Sequence, residues 1–275
     1  MQTKVTASNR IWLIIFILFT IIWLFPVVFA LGTSFRPLQD IYNNVLNIIP
    51  LSPTIENYKT LFQRLPMAQI TLNTAIIATT ATVLKLVTSF LAAYAFVYFD
   101  FKGKNVVYFI FLSTIFVPFT VTMLPSYLLL SKMGLNNNIF GVIFPQIADA
   151  AGIMLLNQAM RNIPYSLIEV AHLDNIGDWR IIKDIILPLI QPQLTSTGIW
   201  FFVNSWNEFV WPSLILRTEE NYTLPLALQM FMSAEGGTDF GVAMAVSVVT
   251  MSIPLLLYII FQKRIIGTFT ASGIK

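Results

Sequence analysis

The 275-residue chain has no cysteine, one histidine and few charges: Lys, Arg, Asp and Glu together make up 11% of it. Without cysteine there is no disulfide framework, no thiolate metal site and no thiol nucleophile. The lone His172 leaves little for a zinc site or a Ser/His/Asp triad. No Gly-x-x-x-x-Gly-Lys-Ser/Thr segment occurs, since Gly103-Lys104-Asn105 lacks both the upstream glycine and the hydroxyl. The chain therefore cannot hold ATP in a phosphate loop of that kind, and paired-aspartate metal motifs are absent too. A soluble domain is ordinarily about 25% charged. With less than half of that, the water-facing surface of a soluble enzyme cannot be built.

What is present is apolar: 56% of the residues are hydrophobic and the mean hydropathy is +0.75. Crossing the hydrocarbon core takes about 20 consecutive apolar residues. Three runs do so with no charge, at 11–31, 106–130 and 240–261. Three more carry a single ion each: 67–99 with Lys85, 137–160 with Asp149, and 194–216 with Glu208. These predict an all-α membrane protein of six transmembrane helices forming one domain over 1–275, with a tail at 262–275. The first run exceeds the 7–15 apolar residues usual in a secretory signal, so it is expected to persist as a span.

An even number of spans puts both termini on one side. If that side is the cytoplasm, ten of the 16 Lys and Arg residues lie inside and five outside, with Lys85 in a span. The positive-inside rule favours this orientation, and it accounts for the pI near 9.1 without a nucleic-acid partner. Pro26, Pro118, Pro125, Pro145 and Pro254 fall inside the apolar runs. They read either as packing shape or as hinges of a moving bundle.

The longest internal loop, 161–192, is patterned as structure. Asn162 is a candidate cap for a helix with Pro164 in its first turn and an apolar stripe at Leu167, Ile168 and Ala171. Asn175-Ile176-Gly177 reads as a bend, because Asn and Gly accept a left-handed backbone. Asp178 is then a candidate cap for a second helix through Trp179, Ile182 and Ile186, ending at Pro188 and Pro192. Such a knob suits a cleft on a soluble partner; a helix lying on the lipid surface is equally compatible with the pattern.

Glu169-Val170-Ala171, Leu173-Asp174, Trp179 and Ile185-Ile186-Leu187-Pro188 resemble the EAA loop of ABC importer permeases. Val170 stands where that family usually has Ala, and Asn175 where it usually has Gly. Asn57-Tyr58, Asn73-Thr74, 92–96, 206–212, 222–226 and 267–275 resemble, in the same order and spacing, the carbohydrate (maltose-type, binding-protein-dependent) branch. The resemblance implies the type I importer permease fold, with six spans, cytoplasmic termini and a coupling helix in the fourth loop.

It further implies a bacterial plasma-membrane protein that forms a heterodimer with a second permease. Two ATPase subunits, an extracytoplasmic binding protein and a sugar, expected to be an oligosaccharide, complete the system. ATP and Mg would sit on the ATPase, and this chain would hold no cofactor and catalyse nothing. Glu169, Ala171, Leu173, Asp174, Asn175 and Gly177 would couple to the ATPase. Within the tail, Thr270, Ser272, Gly273 and Lys275 would reach toward it. Glu235, Gly236, Gly237 and Thr238 would touch the binding protein, unless they form an ordinary solvent loop.

Lys85, Asp149 and Glu208, with Asn207, remain as candidates for the translocation path. Ionisable groups at membrane depth cost about 2.5–3.5 kcal/mol on insertion scales and so face protein or water. Lys85 and Asp149 could instead pair as structural glue, and the tryptophans flanking Glu208 could be interfacial anchors. The same three ions admit a different mechanism, a stand-alone ion-coupled secondary transporter.

Overall fold

The computed structural model describes residues 7–45, 47–232 and 239–271, with side chains from 10 to 262 within those limits. Every regular element among the described residues is helical. Three helices are long and apolar enough to cross a membrane alone: Arg10–Ser34, Met67–Tyr98 and Phe240–Gln262. Two bent pairs do so jointly. The chain clusters into two compact units, 1–67 with 227–252 and 68–226 with 253–275.

In the first unit, α1 (Ala7–Ser34) contains Pro26 without breaking, and none of its most apolar window is buried. A helix that is hydrophobic all round and uncovered in this way suits lipid as its solvent. Short helices α2 (Leu38–Asn43) and α3 (Glu56–Arg64) follow. Arg36, fully buried, organises this segment. Its guanidinium donates to Asp40 Oδ2 at 2.7 Å and to the carbonyls of Asn47, Asp40 and Asn44 at 2.6–2.8 Å. Asn57 Nδ2 donates to the carbonyls of Ser34 and Arg36, and Tyr58 OH lies 2.9 Å from Ser34 Oγ. The start of the last helix packs so closely on α3 that a Cβ on Gly241 would lie 2.4 Å from Asn57 Oδ1.

The second unit runs from α4 (Met67–Tyr98) to residue 226 and resumes at 253, so the last two helices are divided between the units, and several expected boundaries change. The run 106–130 is not one straight span. It forms α5 (Lys104–Ser113), a 3-10 turn at Thr114–Phe116 and α6 (Phe119–Lys132), bent by 99°. Pro118 is the cause: it lacks an N–H and drives Val117 into extended backbone, φ −80°, ψ 114°. The run 137–160 breaks likewise into α7 (Ile139–Ile143), a 3-10 turn containing Pro145 and α8 (Ala150–Arg161), bent by 46°.

After α9 (Tyr165–Leu173), the fifth run begins inside the loop, not at 194. The helix passes from α10 (Asp178–Arg180) through a π turn at Ile181–Ile186 into α11 (Leu187–Trp206). Pro188 and Pro192 therefore do not end a helix. The wide turn directly before Pro188 relieves the clash its ring would make with a tight α-turn. The fifth run also stops at Trp206, and α12 (Val210–Ile215) is a separate piece. Next, α13 (Leu224–Met232) precedes α14 (Phe240–Ala271), which passes the expected end at 261 by ten residues and incorporates Thr270. No proline lies between 261 and 271 to stop it, and a single Gly267 costs only about 1 kcal/mol.

The Arg36–Asp40 pair makes a stability prediction. The hydrogen bond from Arg36, then that from Asn44, holds the Asp40 carboxyl below its ordinary pKa. A depressed folded pKa contributes stability above the unfolded value, lost as pH falls through the folded one. Thermal melts of the purified protein are expected to lose this part of their acid dependence in Asp40→Asn. Arg36→Ala strands three carbonyls, at about 1–3 kcal/mol for each that water cannot reach.

Candidate functional site

The loop after α8 folds into a rigid helix–bend–helix knob. Only three residues separate α8 from α9, so Asn162 closes α8 and cannot cap α9; Pro164 stands at that cap instead. Asn175 adopts the left-handed conformation, φ 56°. Its N–H donates to His172 O at 3.0 Å, and the Ile176 N–H donates to Ala171 O at 2.9 Å. These are the two hydrogen bonds of a Schellman cap, and Ile176 adds the accompanying apolar contact. Gly177, at φ −71°, uses none of the freedom of glycine. Asp178 is not a cap: its carboxylate lies 3.2 Å from His172 Nε2 across the bend, and both side chains are exposed.

The inner face of the knob is apolar and buried. Ile168, Ala171, Ile181, Ile182 and Ile186 pack with Phe90 and Tyr94 of α4, Leu156 and Met160 of α8, and Ile190 of α11. Burying one such isoleucine stabilises by about 1.5–3 kcal/mol relative to exposure to water. Ala171 is only 4% exposed, so its small side chain allows close packing within this chain, not against a partner. On the outer face Glu169, Asp174 and Val170 are exposed, and Leu173 and Trp179 are 79% and 75% exposed. Large apolar side chains this bare on a braced helix pair are a feature of surfaces that contact a protein or a membrane.

Two helices lead from the knob to a second polar feature. Asp149 caps the far end of α8, where its Oδ1 accepts from Gly152 N at 2.9 Å. Past the far end of α11, Glu208 Oε1 accepts from Trp211 N at 3.2 Å and opens α12. At about 1.5 Å per residue these connections span roughly 18 and 30 Å. Both carboxylates line one cavity of about 270 Å³ with Lys85, Thr122, Ser126 and Gln146. Lys85 Nζ donates to Gln146 Oε1 at 3.4 Å and lies 5.5 Å from the Phe201 ring centroid; it makes no ion pair with Asp149 within 4.0 Å. The direct pairing considered from sequence is thus replaced by two helix caps beside an ammonium. Asn207 does not join them, since its Nδ2 donates back to Val203 O.

Sequence reasoning missed the groups that hold the break at 147–149. Thr88 Oγ1 donates to Ile147 O at 2.6 Å and Ser89 Oγ to Asp149 O at 3.4 Å. The spacing of Lys85, Thr88 and Ser89, i, i+3 and i+4, was the available signal, because it puts all three on one helix face. Gly152 seats α8 so close that a Cβ there would lie 2.4 Å from Phe201 Cζ. Two further sequence motifs serve as clamps. Asn73 Nδ2 donates to the carbonyls of Glu220 and Tyr222, and Thr74 Oγ1 accepts from Leu224 N. Ser272, Gly273, Lys275 and Glu235, Gly236, Gly237, Thr238 lie outside the described residues, as does the side chain of Thr270.

Residues 85–267 match the family of binding-protein-dependent transport system inner membrane components. The chain belongs to this family. It is 30% identical over 254 residues, 91% of each chain, to the arabinooligosaccharides transport system permease protein AraQ of Halalkalibacterium halodurans. It is 33% identical over 271 residues, 98% of each chain, to a putative ABC transporter permease protein of a Caldicellulosiruptor species. The fold is that of a chain in a bacterial ABC transporter involved in importing the acidic polysaccharide alginate, with TM-score 0.81 and 21% identity over 94% of this chain and 98% of that one. The protein is thus an ABC importer permease, a transport component and not an enzyme, and the stand-alone ion-coupled alternative has no support.

For this permease, Asn175→Val is expected to destabilise the bend by about 1–2 kcal/mol, whereas Asn175→Gly stays within about 1 kcal/mol of the parent. Gly152→Val is expected to cost about 1–3 kcal/mol by overpacking. Denaturation of the purified variants measures both.

Proposed function

We propose that this permease forms half of the translocation path of an ATP-driven oligosaccharide importer in the bacterial plasma membrane. The observation that carries the proposal is the braced knob at 165–186, with Leu173 and Trp179 bare on one side and α4, α8 and α11 gripped on the other. Glu169 pairs with a basic group of the ATPase while Leu173, Asp174, Asn175 and Gly177 shape the docking surface. Closure of two ATPase subunits, which carry ATP and Mg, pulls the knob and rocks the ends of those helices. The tail residues Thr270, Ser272, Gly273 and Lys275 extend the same contact. A second permease completes a heterodimer, and Glu235–Thr238 meet an extracytoplasmic binding protein.

In this reading the six spans are α1, α4, the bent pair α5–α6, the bent pair α7–α8, α11 with α12, and α14. Both termini are cytoplasmic, as the distribution of Lys and Arg favours. The fifth span carries Gln191, Gln193, Thr195, Ser196, Thr197 and Asn204, which suits a helix facing protein or a water-filled path. Lys85, Asp149 and Glu208 lie on that path. An oligosaccharide cargo is supported by the name of the AraQ relative.

Glu169→Lys is expected to lower recovery of the ATPase with the tagged permease at least tenfold, and sugar uptake in parallel, without loss of the permease from the membrane. Trp179→Ala is expected to act in the same direction. Full assembly and uptake in both variants would refute the docking role, and a lipid-lying knob would predict that outcome.

A further inference from the structure

The cavity between α4, α6, the α7–α8 break and the α11–α12 break carries charges of both signs: Lys85 against Asp149 and Glu208. Each carboxylate commits one oxygen to a helix cap. No other hydrogen bond to either one is present among the described residues. An ionised carboxylate only accepts, so a ligand meeting the remaining oxygens must bring donors. Lys85, 9% exposed, makes one long contact to Gln146 and keeps donors for a ligand oxygen. The Thr122 and Ser126 hydroxyls both give and accept, and Phe119 offers an apolar wall for the C–H face of a ring.

The charge balance decides among ligands. An anionic glycan is repelled by two carboxylates and attracted by one ammonium, in a partly dry site where such terms are poorly screened. A cationic one is attracted by the two carboxylates and repelled by the one ammonium, so the charge balance singles out the acidic glycan for exclusion. A neutral polyol meets neither penalty and satisfies donors and acceptors alike. About 270 Å³ is below the 300–1,000 Å³ of a complete small-molecule site, so the cavity holds about one sugar unit. We infer that this cavity receives a hydroxyl-rich unit of the transported oligosaccharide and selects against acidic glycans. The inference rests on the reading that Lys85, Asp149 and Glu208 line the path. The alginate importer shares the fold, so it is the side chains and not the fold that set the sign of the cargo.

The test uses the complete purified assembly of permeases and ATPase without binding protein, in equilibrium dialysis. The probes are neutral tetrasaccharides of arabinose and of glucose, tetragalacturonate, and the glucosamine tetramer. At least one neutral probe is expected to be retained tenfold more tightly than tetragalacturonate. Glu208→Gln is expected to improve tetragalacturonate about tenfold relative to the neutral probe, and Lys85→Met to improve the glucosamine tetramer relative to it. If Glu208→Gln fails to assemble, Thr122→Asp, on the exposed wall, is expected to widen the neutral-to-acidic ratio by about tenfold. Equal retention of neutral and acidic probes, retention of no neutral probe, or ratios unmoved by these variants would overturn the inference. Co-purification and ATP hydrolysis in the same preparations report separately on the importer reading: active assemblies lacking charge preference sink only the cavity proposal.

Discussion

Everything in this chain depends on satisfying backbone groups where no water is available to do it. The helices at 104–132, 139–161 and 187–215 are each interrupted, and an interruption at membrane depth frees N–H and C=O groups that must find partners. Helix α4 (Met67–Tyr98) runs unbroken and supplies some of them: Thr88 and Ser89 bond the carbonyls at the α7–α8 break. Asp149 and Glu208 supply others by capping the helices that restart. Asn137, at φ 55°, does the same for the backbone N–H groups of Arg217 and Thr218. The ions that looked anomalous in apolar runs are therefore first of all the repair of broken helices. Their free oxygens give the cavity its polarity as a consequence.

The knob and the cavity are mechanically one system because α8 and α11 each reach both. Met160 and Ile190 lie in the buried cluster under the knob; Asp149 caps the other end of α8, and Glu208 follows the other end of α11. A close-packed core transmits displacement instead of absorbing it. Gly152 shows how little slack exists along α8, since even a methyl group there would collide with Phe201 and Ser89. In the proposed mechanism, movement at the bend of the knob would reach the helix breaks through these two helices.

The helix–bend–helix pattern of the loop at 161–192 was legible in the sequence, because its signals are local. A stripe at helical spacing, then Asn at a bend, then a second stripe needs only neighbours in sequence, and Asn175 takes the left-handed conformation its side chain tolerates. The caps were misassigned at Asn162 and Asp178 because several residues in a short connection have the right chemistry, and which one is used depends on the distance to the preceding helix. Ala171 was assigned to a partner for the same reason: sequence reveals that a face needs a small residue, not which neighbour crowds it. No local signal marks Arg36, and only tertiary packing makes it a buried bracket for four acceptors.

Composition and periodicity alone determined that this is a helical membrane protein, and the loop pattern pointed to its family. Those properties follow from solvent preference and local backbone preference, both carried by short stretches of chain. Which helix mends which break, and that Lys85, Asp149 and Glu208 share a cavity while Asn207 does not, were decided by the tertiary structure. They depend on contacts between residues 59 and more positions apart, and no local preference specifies a partner at that separation.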